Sequence, residues 1–262
     1  MQIKFLKKDG FDYRFLVKNT RNDILNAIRR TIMLHVPVLG IKEVSIYKNE
    51  SVMPDEMLAH RIGLVPIYSD DVDDKEYHLY LKKTSDRVYS GDISGNLDVA
   101  LKHIPLVELN NDKSIELELL VKKGNGEQHT KYCPANVFFY NTAEIKLNSN
   151  IDDVENICPG HFLEKKANKI FLKDPYSCDI CRYCESKTNK ALELIFNPDE
   201  FVFILVPFGN LDLDKMIISA TDYLNNDLEE LKSLLQNKSV DEKTDVKSKI
   251  KKSKTSKSLE SE

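Results

Sequence analysis

Apolar and polar residues alternate along much of the chain, and two segments show helical spacing instead. Near the N-terminus, two short apolar runs flank Asp9 and Gly10, a pair typical of a β-hairpin turn. In the next segment, apolar residues recur at helical spacing: Ile24, Ala27, Ile28 and Ile32. Thr20, with Asp23 three residues later, resembles a capping box, and Pro37 ends the predicted helix.

The centre of the chain has the period-two alternation of strands, and its C-terminal part has a long helical pattern. The segments VLGIKEVSIYKN, EYHLYLKK, SIELELLVKK and NTAEIKL predict strands, and DEMLAHRIGLVPIY predicts a short helix that runs into a turn. The apolar positions of the long helix step by three and four: Ile217, Ala220, Leu224, Leu228, Leu231 and Leu235. Such a stripe packs on the chain's own core or covers a partner subunit. Together these patterns predict the α+β class.

Composition and charge narrow the class of protein. The 262 residues carry a formal net charge of −4, and no segment has a one-sided basic stripe, so tight DNA binding by this chain alone is not expected. No apolar run approaches the roughly 18 residues that a membrane span needs, and the charged N-terminus is unlike a signal peptide. We therefore expect a cytoplasmic protein with reduced thiols. Residues 238–262 are rich in Lys and Ser and are predicted to form a disordered tail.

A group of four cysteines is the strongest chemical signal in the sequence. Its members are Cys158, Cys178, Cys181 and Cys184. The later three have the C-x2-C-x2-C spacing with which a loop presents three thiolates to an iron–sulfur cluster, and the first, followed by Pro159, is the candidate fourth ligand. No cysteine triplet precedes it, and Thr188 stands where a further cysteine would follow. The segment 150–192 is therefore predicted to be a ferredoxin-like module reduced to one cluster.

Other occupants of the cysteine group stay open at this point. Zinc is also held by four thiolates, although its sites more often use two C-x2-C pairs or include a histidine, and His161 lies nearby. A site without metal is the third possibility. Cys133 lies outside the group and is expected to be a free or buried thiol. A module of about 40 residues has too little core to fold alone, so a bound metal would stabilise its fold.

Several segments together resemble the assembly subunits of multisubunit RNA polymerases. This family includes the bacterial alpha subunit, the third-largest subunit of eukaryotic polymerases and the corresponding archaeal assembly subunit. The segments NDILNAIRRTIMLHVPVLGIKEVSI and ESVMPDEMLAHRIGLVPI match the entry to that fold. GNGEQHTKYCPANVFFY matches a further family stretch through Gly124, Gly126, His129, Lys131, Pro134 and Ala135. The chain is identified as a member of this family, of the archaeal type, over residues 1 to about 236.

The resemblance implies a domain organisation. A discontinuous dimerisation domain would comprise residues 1–40 and 200–237, and a mostly β insert domain would comprise residues 41–199 and include the module at 150–192. The dimerisation domain would pair with subunit L through Ile24, Ile28, Ile217, Leu224, Leu228 and Leu231. The pair would form a platform for the two large catalytic subunits and the small assembly subunits, without direct DNA contact.

The resemblance also implies roles for single residues. Arg29 and Arg30 match an arginine pair that contacts a large subunit in bacterial alpha, although composition alone favours a solvated face. The cysteine group would hold one structural or regulatory cluster, [3Fe-4S] or [4Fe-4S]. The chain would take part in transcription without being an enzyme by itself, because it has no catalytic aspartate triad. Asp212 and Asp214 are interpreted as a helix cap. The alternative class is a redox protein whose cluster serves electron transfer without partners.

Overall fold

The structure is a computed structural model of the α+β class, which confirms the predicted class. It describes residues 1–70, 73–148, 156–166, 169–174, 176, 178 and 180–255, with the backbone alone at 166, 169 and 237–255. Two four-stranded antiparallel sheets and one two-stranded sheet account for the strands of the described part.

The elements follow one another in an order that interleaves the two large sheets. The strands are β1 (Gln2–Asp9), β2 (Asp12–Lys18), β3 (Val38–Asn49), β4 (Tyr77–Tyr89), β5 (Ile93–Gly95), β6 (Pro105–Gly124), β7 (Ala135–Leu147), β8 (Leu163–Lys166), β9 (Lys169–Leu172) and β10 (Leu192–Pro207). The helices are α1 (Asn22–Leu34), α2 (Asp55–Gly63), α3 (Tyr183–Lys187) and α4 (Leu213–Thr255). The predicted hairpin, short helix and long helix are all present.

The first sheet joins the two ends of the chain. Its strand order is β1-β2-β10-β7, so the N-terminal hairpin lies directly beside the last strand. Helices α1 and α4 pack on this sheet and on each other. Their common core contains Leu25 and Ile32 of α1, Met216 and Ala220 of α4, and Phe201 of β10. Burial of these side chains is the main force that holds the ends together.

The second sheet is built from strands that lie in sequence between α1 and the cysteine group. Its order is β3-β6-β4-β5, and β6 is the central long strand. Alternate residues of β6, among them Leu117, Leu119 and Val121, are fully buried, as period-two alternation predicts. Helix α2 covers the same core through Leu58 and Ile62. The VLGIKEVSIYKN segment is β3 over its whole length.

Strands β7 and β10 extend from the first sheet into the cysteine module. Residues 201–207 of β10 pair with β7 beside the helices, and residues 192–196 pair with β7 beside the module, with an irregularity between Phe196 and Phe201. The hairpin of β8 and β9 and the short helix α3 pack there on a small third core. The module therefore sits on the same two strands that carry the α1 and α4 core.

Three features differ from the sequence-based expectations. The capping box is wrong, because the N-cap of α1 is Arg21 without a side-chain cap, and the hydroxyl of Thr20 is buried without a hydrogen-bond partner among the described residues. Asp23 instead accepts a hydrogen bond from the Arg21 guanidinium, whose Nε lies 3.1 Å from Oδ1. Strand β7, from the predicted insert domain, belongs to the first sheet.

The third difference is the length of α4. The helix continues to Thr255, whereas composition predicted a disordered tail from residue 238, and residues 256–262 lie outside the described part. Lys and Glu are good helix formers, and neither Gly nor Pro interrupts residues 238–255. Among the helices that are described, none is long and apolar enough to cross a membrane.

Candidate functional site

Helix α4 buries one end of its apolar stripe and exposes the other. Met216 and Ala220 are fully buried in the core beneath α1. Ile217 and Leu224 are half-buried, and beyond them Leu228 is 63% and Leu231 54% exposed. The α4 apolar face, as we call it, comprises Leu224, Leu228, Leu231 and Leu235. Contiguous exposed leucines on one helix face are typical of a surface that another subunit covers.

Helix α1 contributes to the same region of the molecule. Ile28 is half-buried and packs on the core shared with α4, whereas Ile24, one turn earlier, is exposed. All six residues predicted for the dimerisation interface thus lie on α1 and α4, the two helices that pack together. Three of them are exposed and three are partly buried in the single chain.

The sequence analysis missed two apolar residues of β1. Ile3 and Phe5 are both more than half exposed, and they pair directly with Val17 and Phe15 of β2. The rings of Phe5 and Phe15 meet edge to face at 5.6 Å. Because Val17 and Phe15 belong to the core beneath the helices, Ile3 and Phe5 extend that apolar face to the edge of the sheet. Their two-residue spacing in QIKFLKKD was the available signal.

The predicted arginine pair has two different environments. Arg29 is partly buried, and its Nε and Nη2 donate to Asn26 Oδ1 at 3.2 and 3.1 Å. Its Nη1 lies 3.6 Å from the sulfur of Met33. Arg30 is exposed, and no hydrogen bond or ion pair to another described residue engages its side chain. Arg30 is thus the more available of the two for an external contact.

All four cysteines of the predicted group line one small cavity. Leu163, Leu172 and Leu194 form much of the remaining wall. Cys184 lies in α3 and is buried, whereas Cys181 is exposed. Burial raises the pKa of the Cys184 thiol to about 11, and the charges of Cys178, Cys158 and Cys181 add to that rise.

The backbone turns sharply between the cysteines. Ile180 and Arg182 have φ of 58° and 55°, in the left-handed region, and His161 has φ of 53°. The amide of His161 donates to the carbonyl of Cys158 at 2.9 Å. Such turns change the direction of the chain within a few residues, so that thiols from separate positions reach one cavity.

The four cysteines of the cavity are suitable ligands for a metal centre. Their side chains are not arranged around a common metal position in the structure. All five cysteines are thiols. Within the described part of the chain, no group of three or more His, Cys, Asp or Glu side chains is arranged to hold a metal ion. Four cysteine thiolates are nevertheless the ligands that an iron–sulfur cluster or zinc requires. Cys133 does not line this cavity, and its buried Sγ donates to the carbonyl of Ala135 at 3.1 Å.

The GNGEQHTKYCPA segment connects several elements of the fold through close packing and hydrogen bonds. Gly126 lies against the end of α1, where a Cβ would come within 2.0 Å of the Met33 carbonyl oxygen. The next amide, of Glu127, donates to Leu34 O at 3.1 Å. Lys131 Nζ donates to the carbonyl of Ile41 at 2.7 Å. The residues that carried the family resemblance thus connect β6 and β7 to α1 and β3.

Comparison with known proteins places this architecture in a class. The chain is 30% identical to the DNA-directed RNA polymerase subunit Rpo3 of Methanothermobacter thermautotrophicus, over 88% of this chain and 97% of that protein. It is 27% identical to the Rpo3 subunit of Methanobrevibacter smithii, over 86% and 94%. The Dictyostelium discoideum RNA polymerase II subunit rpb3 is 26% identical, over 88% and 93%. A scan against protein-family models finds no match.

These similarities define the class of protein as a subunit of a multisubunit DNA-directed RNA polymerase, a member of the complex that is not catalytic by itself. Within that class, the chain belongs to the family of archaeal Rpo3 subunits and their eukaryotic counterparts. The resemblance deduced from the sequence motifs is thereby confirmed.

Proposed function

We propose that this chain is the assembly subunit of an archaeal RNA polymerase and pairs with subunit L through α1 and α4. The resulting heterodimer is the platform on which the two large catalytic subunits and the small assembly subunits gather. The chain itself carries out no chemistry in transcription. The observation that carries this proposal is the α4 apolar face, which the chain's own core leaves exposed.

The energetics favour a partner on this face. Leu228, Leu231 and Leu235 are each more than half exposed in the single chain. Full burial of a leucine side chain contributes roughly 1.5–3 kcal/mol, so covering three of them contributes several kcal/mol. The exposed Ile3, Phe5 and Ile24 extend the apolar area toward the sheet. An interface of this composition resembles a domain core divided between two subunits.

The arginine pair provides a second contact of the platform. In this proposal Arg29 and Arg30 meet a large catalytic subunit on the α1 side. Arg29 is fixed by Asn26, whereas the exposed Arg30 offers its guanidinium to carboxylate or carbonyl groups. A planar guanidinium binds such groups in a bidentate manner, which supports orientation as well as affinity.

The cysteine cavity is the proposed metal site. We assign its four thiols as ligands of one iron–sulfur cluster, [3Fe-4S] or [4Fe-4S], with a structural or regulatory role. When bound, the cluster supplies iron–thiolate bonds that stabilise a module with a small core. Leu163, Leu172 and Leu194 line the cavity beside the thiols, and Cys184 in α3 is buried.

A co-expression experiment tests both parts. The chain and subunit L are produced together without oxygen and analysed by size exclusion with absorbance at 280 and about 400 nm. A brown one-to-one heterodimer is the expected result, because iron–sulfur clusters absorb in that range. A colourless heterodimer keeps the platform and points to zinc or no metal. A brown monomer that ignores subunit L contradicts the platform and favours the redox alternative.

Variants make the interface test specific. Leu228→Glu combined with Leu231→Glu places two carboxylates on the exposed α4 apolar face and is expected to abolish the heterodimer while leaving the folded monomer brown. The control is Val52→Glu, which adds one carboxylate at a residue that is 89% exposed and lies outside both helices. Equal loss of pairing in the control and the double variant would contradict an interface on α4.

A further inference from the structure

One cationic side chain lines the cysteine cavity in the described part of the chain. It is Arg182, between Cys181 and Cys184, and the other lining residues are cysteines, leucines and Pro159. Its backbone φ of 55° lies in the left-handed region. That conformation is strained for a residue other than glycine, so surrounding contacts must hold Arg182 in place.

Two residues define where the guanidinium lies. Its central carbon lies 4.9 Å from the centroid of the Phe196 ring, in a cation–π contact. Its Nε lies 3.9 Å from Oε2 of Glu185. Glu185 is itself fixed, because its Oε1 accepts a hydrogen bond from the amide of Leu194 at 2.7 Å. Phe196 and Leu194 both belong to β10, so the long strand of the first sheet positions this charge beside the cavity.

We propose that Arg182 is a positioning residue that keeps a positive charge at the cysteine cavity and thereby raises the reduction potential of the cluster held there. The inference rests on the proposed cluster. A guanidinium carries a delocalised positive charge. Four thiolates make the ligand set strongly negative, and one added electron makes the centre more negative still. A nearby cation, although its side chain is 62% exposed and lies beside the Glu185 carboxylate, stabilises the reduced state more than the oxidised state.

The test is a redox titration of the full chain, produced together with subunit L and purified without oxygen. One electron per cluster comes from dithionite, with mediators that set the potential, and the reduced fraction is read by absorbance and electron paramagnetic resonance. Arg182→Met removes the charge, and Arg182→Lys keeps it. The control Lys187→Met removes a charge from α3, the short helix that follows Arg182, at an exposed position outside the cavity lining.

Arg182→Met is expected to lower the ratio of reduced to oxidised cluster at fixed potential by about threefold to tenfold; tenfold is about 59 mV for one electron. Arg182→Lys and Lys187→Met are expected to stay close to the unchanged protein. Loss of iron in Arg182→Met but not in Arg182→Lys overturns the proposal, because the charge would then retain the cluster rather than set its potential. No shift in Arg182→Met, an equal shift in Lys187→Met, or loss of iron from both Arg182 variants overturns the proposal.

The measurement separates this inference from the proposed function. An unchanged protein that binds subunit L but contains no iron overturns the cluster assignment and the role of Arg182 together, and it leaves the platform in place. An iron-containing protein with an unshifted potential in Arg182→Met overturns the role of Arg182 alone. A shifted potential in a protein that fails to bind subunit L supports the role of Arg182 and contradicts the platform.

Discussion

At the scale of single residues, Gly126 and Gly63 differ in what a side chain would meet. A Cβ on Gly126 would lie 2.0 Å from the carbonyl oxygen of Met33, and this backbone atom belongs to α1. On Gly63, at the end of α2, a Cβ would have no atom within 4 Å. Replacement by alanine is therefore expected to destabilise the protein at Gly126 but not at Gly63.

Gly126→Ala is expected to destabilise the protein by about 1–3 kcal/mol, because the turn must move away from the end of α1 and lose the Glu127 to Leu34 hydrogen bond. Gly63→Ala is expected to be neutral or to stabilise by up to about 1 kcal/mol, since alanine has the higher helix propensity. Urea unfolding followed by circular dichroism measures both. Similar midpoints for the two variants would contradict the close approach of Gly126 to α1.

At the scale of elements, β7 and β10 connect two cores of different size. Beside the helices, residues 201–205 of β10 pack in the large core under α1 and α4. Beside the module, Leu192 and Leu194 pack with Leu163, Ile170 and Cys184 in a core that has six buried residues within the described part of the chain. A core that small stabilises its elements weakly without further bonds. We therefore expect the two ends of β10 to respond differently when the proposed metal centre is lost.

Amide hydrogen exchange measures this difference. Removal of iron with an oxidant and a chelator is expected to accelerate exchange in β8, β9 and residues 192–196 and to leave residues 201–205 protected. Local opening needs only the module to unfold, whereas exchange at 201–205 requires the large core to open. Faster exchange at both ends would instead mean that module and sheet unfold as one unit. Unchanged exchange at 192–196 would mean that iron does not stabilise the module.

Most elements were predictable from local sequence, and their long-range partners were not. Period-two alternation predicted β3 over its whole length, and the stepping of apolar residues predicted α4. Cysteine spacing predicted the grouping around the cavity, because four thiols in a small segment have few other arrangements. Local pattern does not encode which strand pairs with which, so the position of β7 in the first sheet and the exposed edge at Ile3 and Phe5 required the structure.

At the scale of the whole molecule, the two large sheets meet near the start of α4. Asp70, on the loop before β4, accepts hydrogen bonds from the hydroxyl of Tyr68 at 2.6 Å and from the amide of Asp212 at 3.4 Å. Lys215 Nζ lies 3.6 Å from its carboxylate. The amide of Ser69 donates to the carbonyl of Asn210 at 2.8 Å in the same joint. The second carboxylate, of Asp212, was interpreted from sequence as a helix cap.

The two carboxyl groups have opposite pKa shifts. Burial would raise the pKa of Asp70, but hydrogen bonds from Tyr68 and Asp212 outweigh burial and hold that pKa below its ordinary value. The hydrogen bond with Asp70 raises the pKa of Asp212, and burial and the negative charge of Asp70 raise it further. Asp212 is therefore the carboxyl group that carries the proton when the pair shares one.

The raised pKa of Asp212 makes the stability of the folded protein depend on pH. Its pKa in the folded protein lies above the ordinary value of 3.8, so the folded state binds the proton more tightly than the unfolded state. The stability this contributes is fully present below about pH 3.8 and is lost as the pH rises through the folded pKa. Asp212→Asn keeps a neutral side chain that still caps a helix. The variant is therefore expected to be more stable than the unchanged protein at pH 7 and equally stable near pH 3.5.

Urea unfolding at several pH values between 3.5 and 7 tests this expectation, with Asp214→Asn as the control. Asp214 lies in the first turn of α4, where its charge favours the helix dipole, so its replacement is expected to cost roughly 0.3–1 kcal/mol at pH 7. If Asp212→Asn is also less stable at pH 7, the carboxylate acts mainly as a cap, as the sequence alone suggested. Higher stability of Asp212→Asn together with lower stability of Asp214→Asn would instead locate the pH sensitivity where the two sheets meet, because Asp212 donates a hydrogen bond to the carboxylate of Asp70 on the loop before β4.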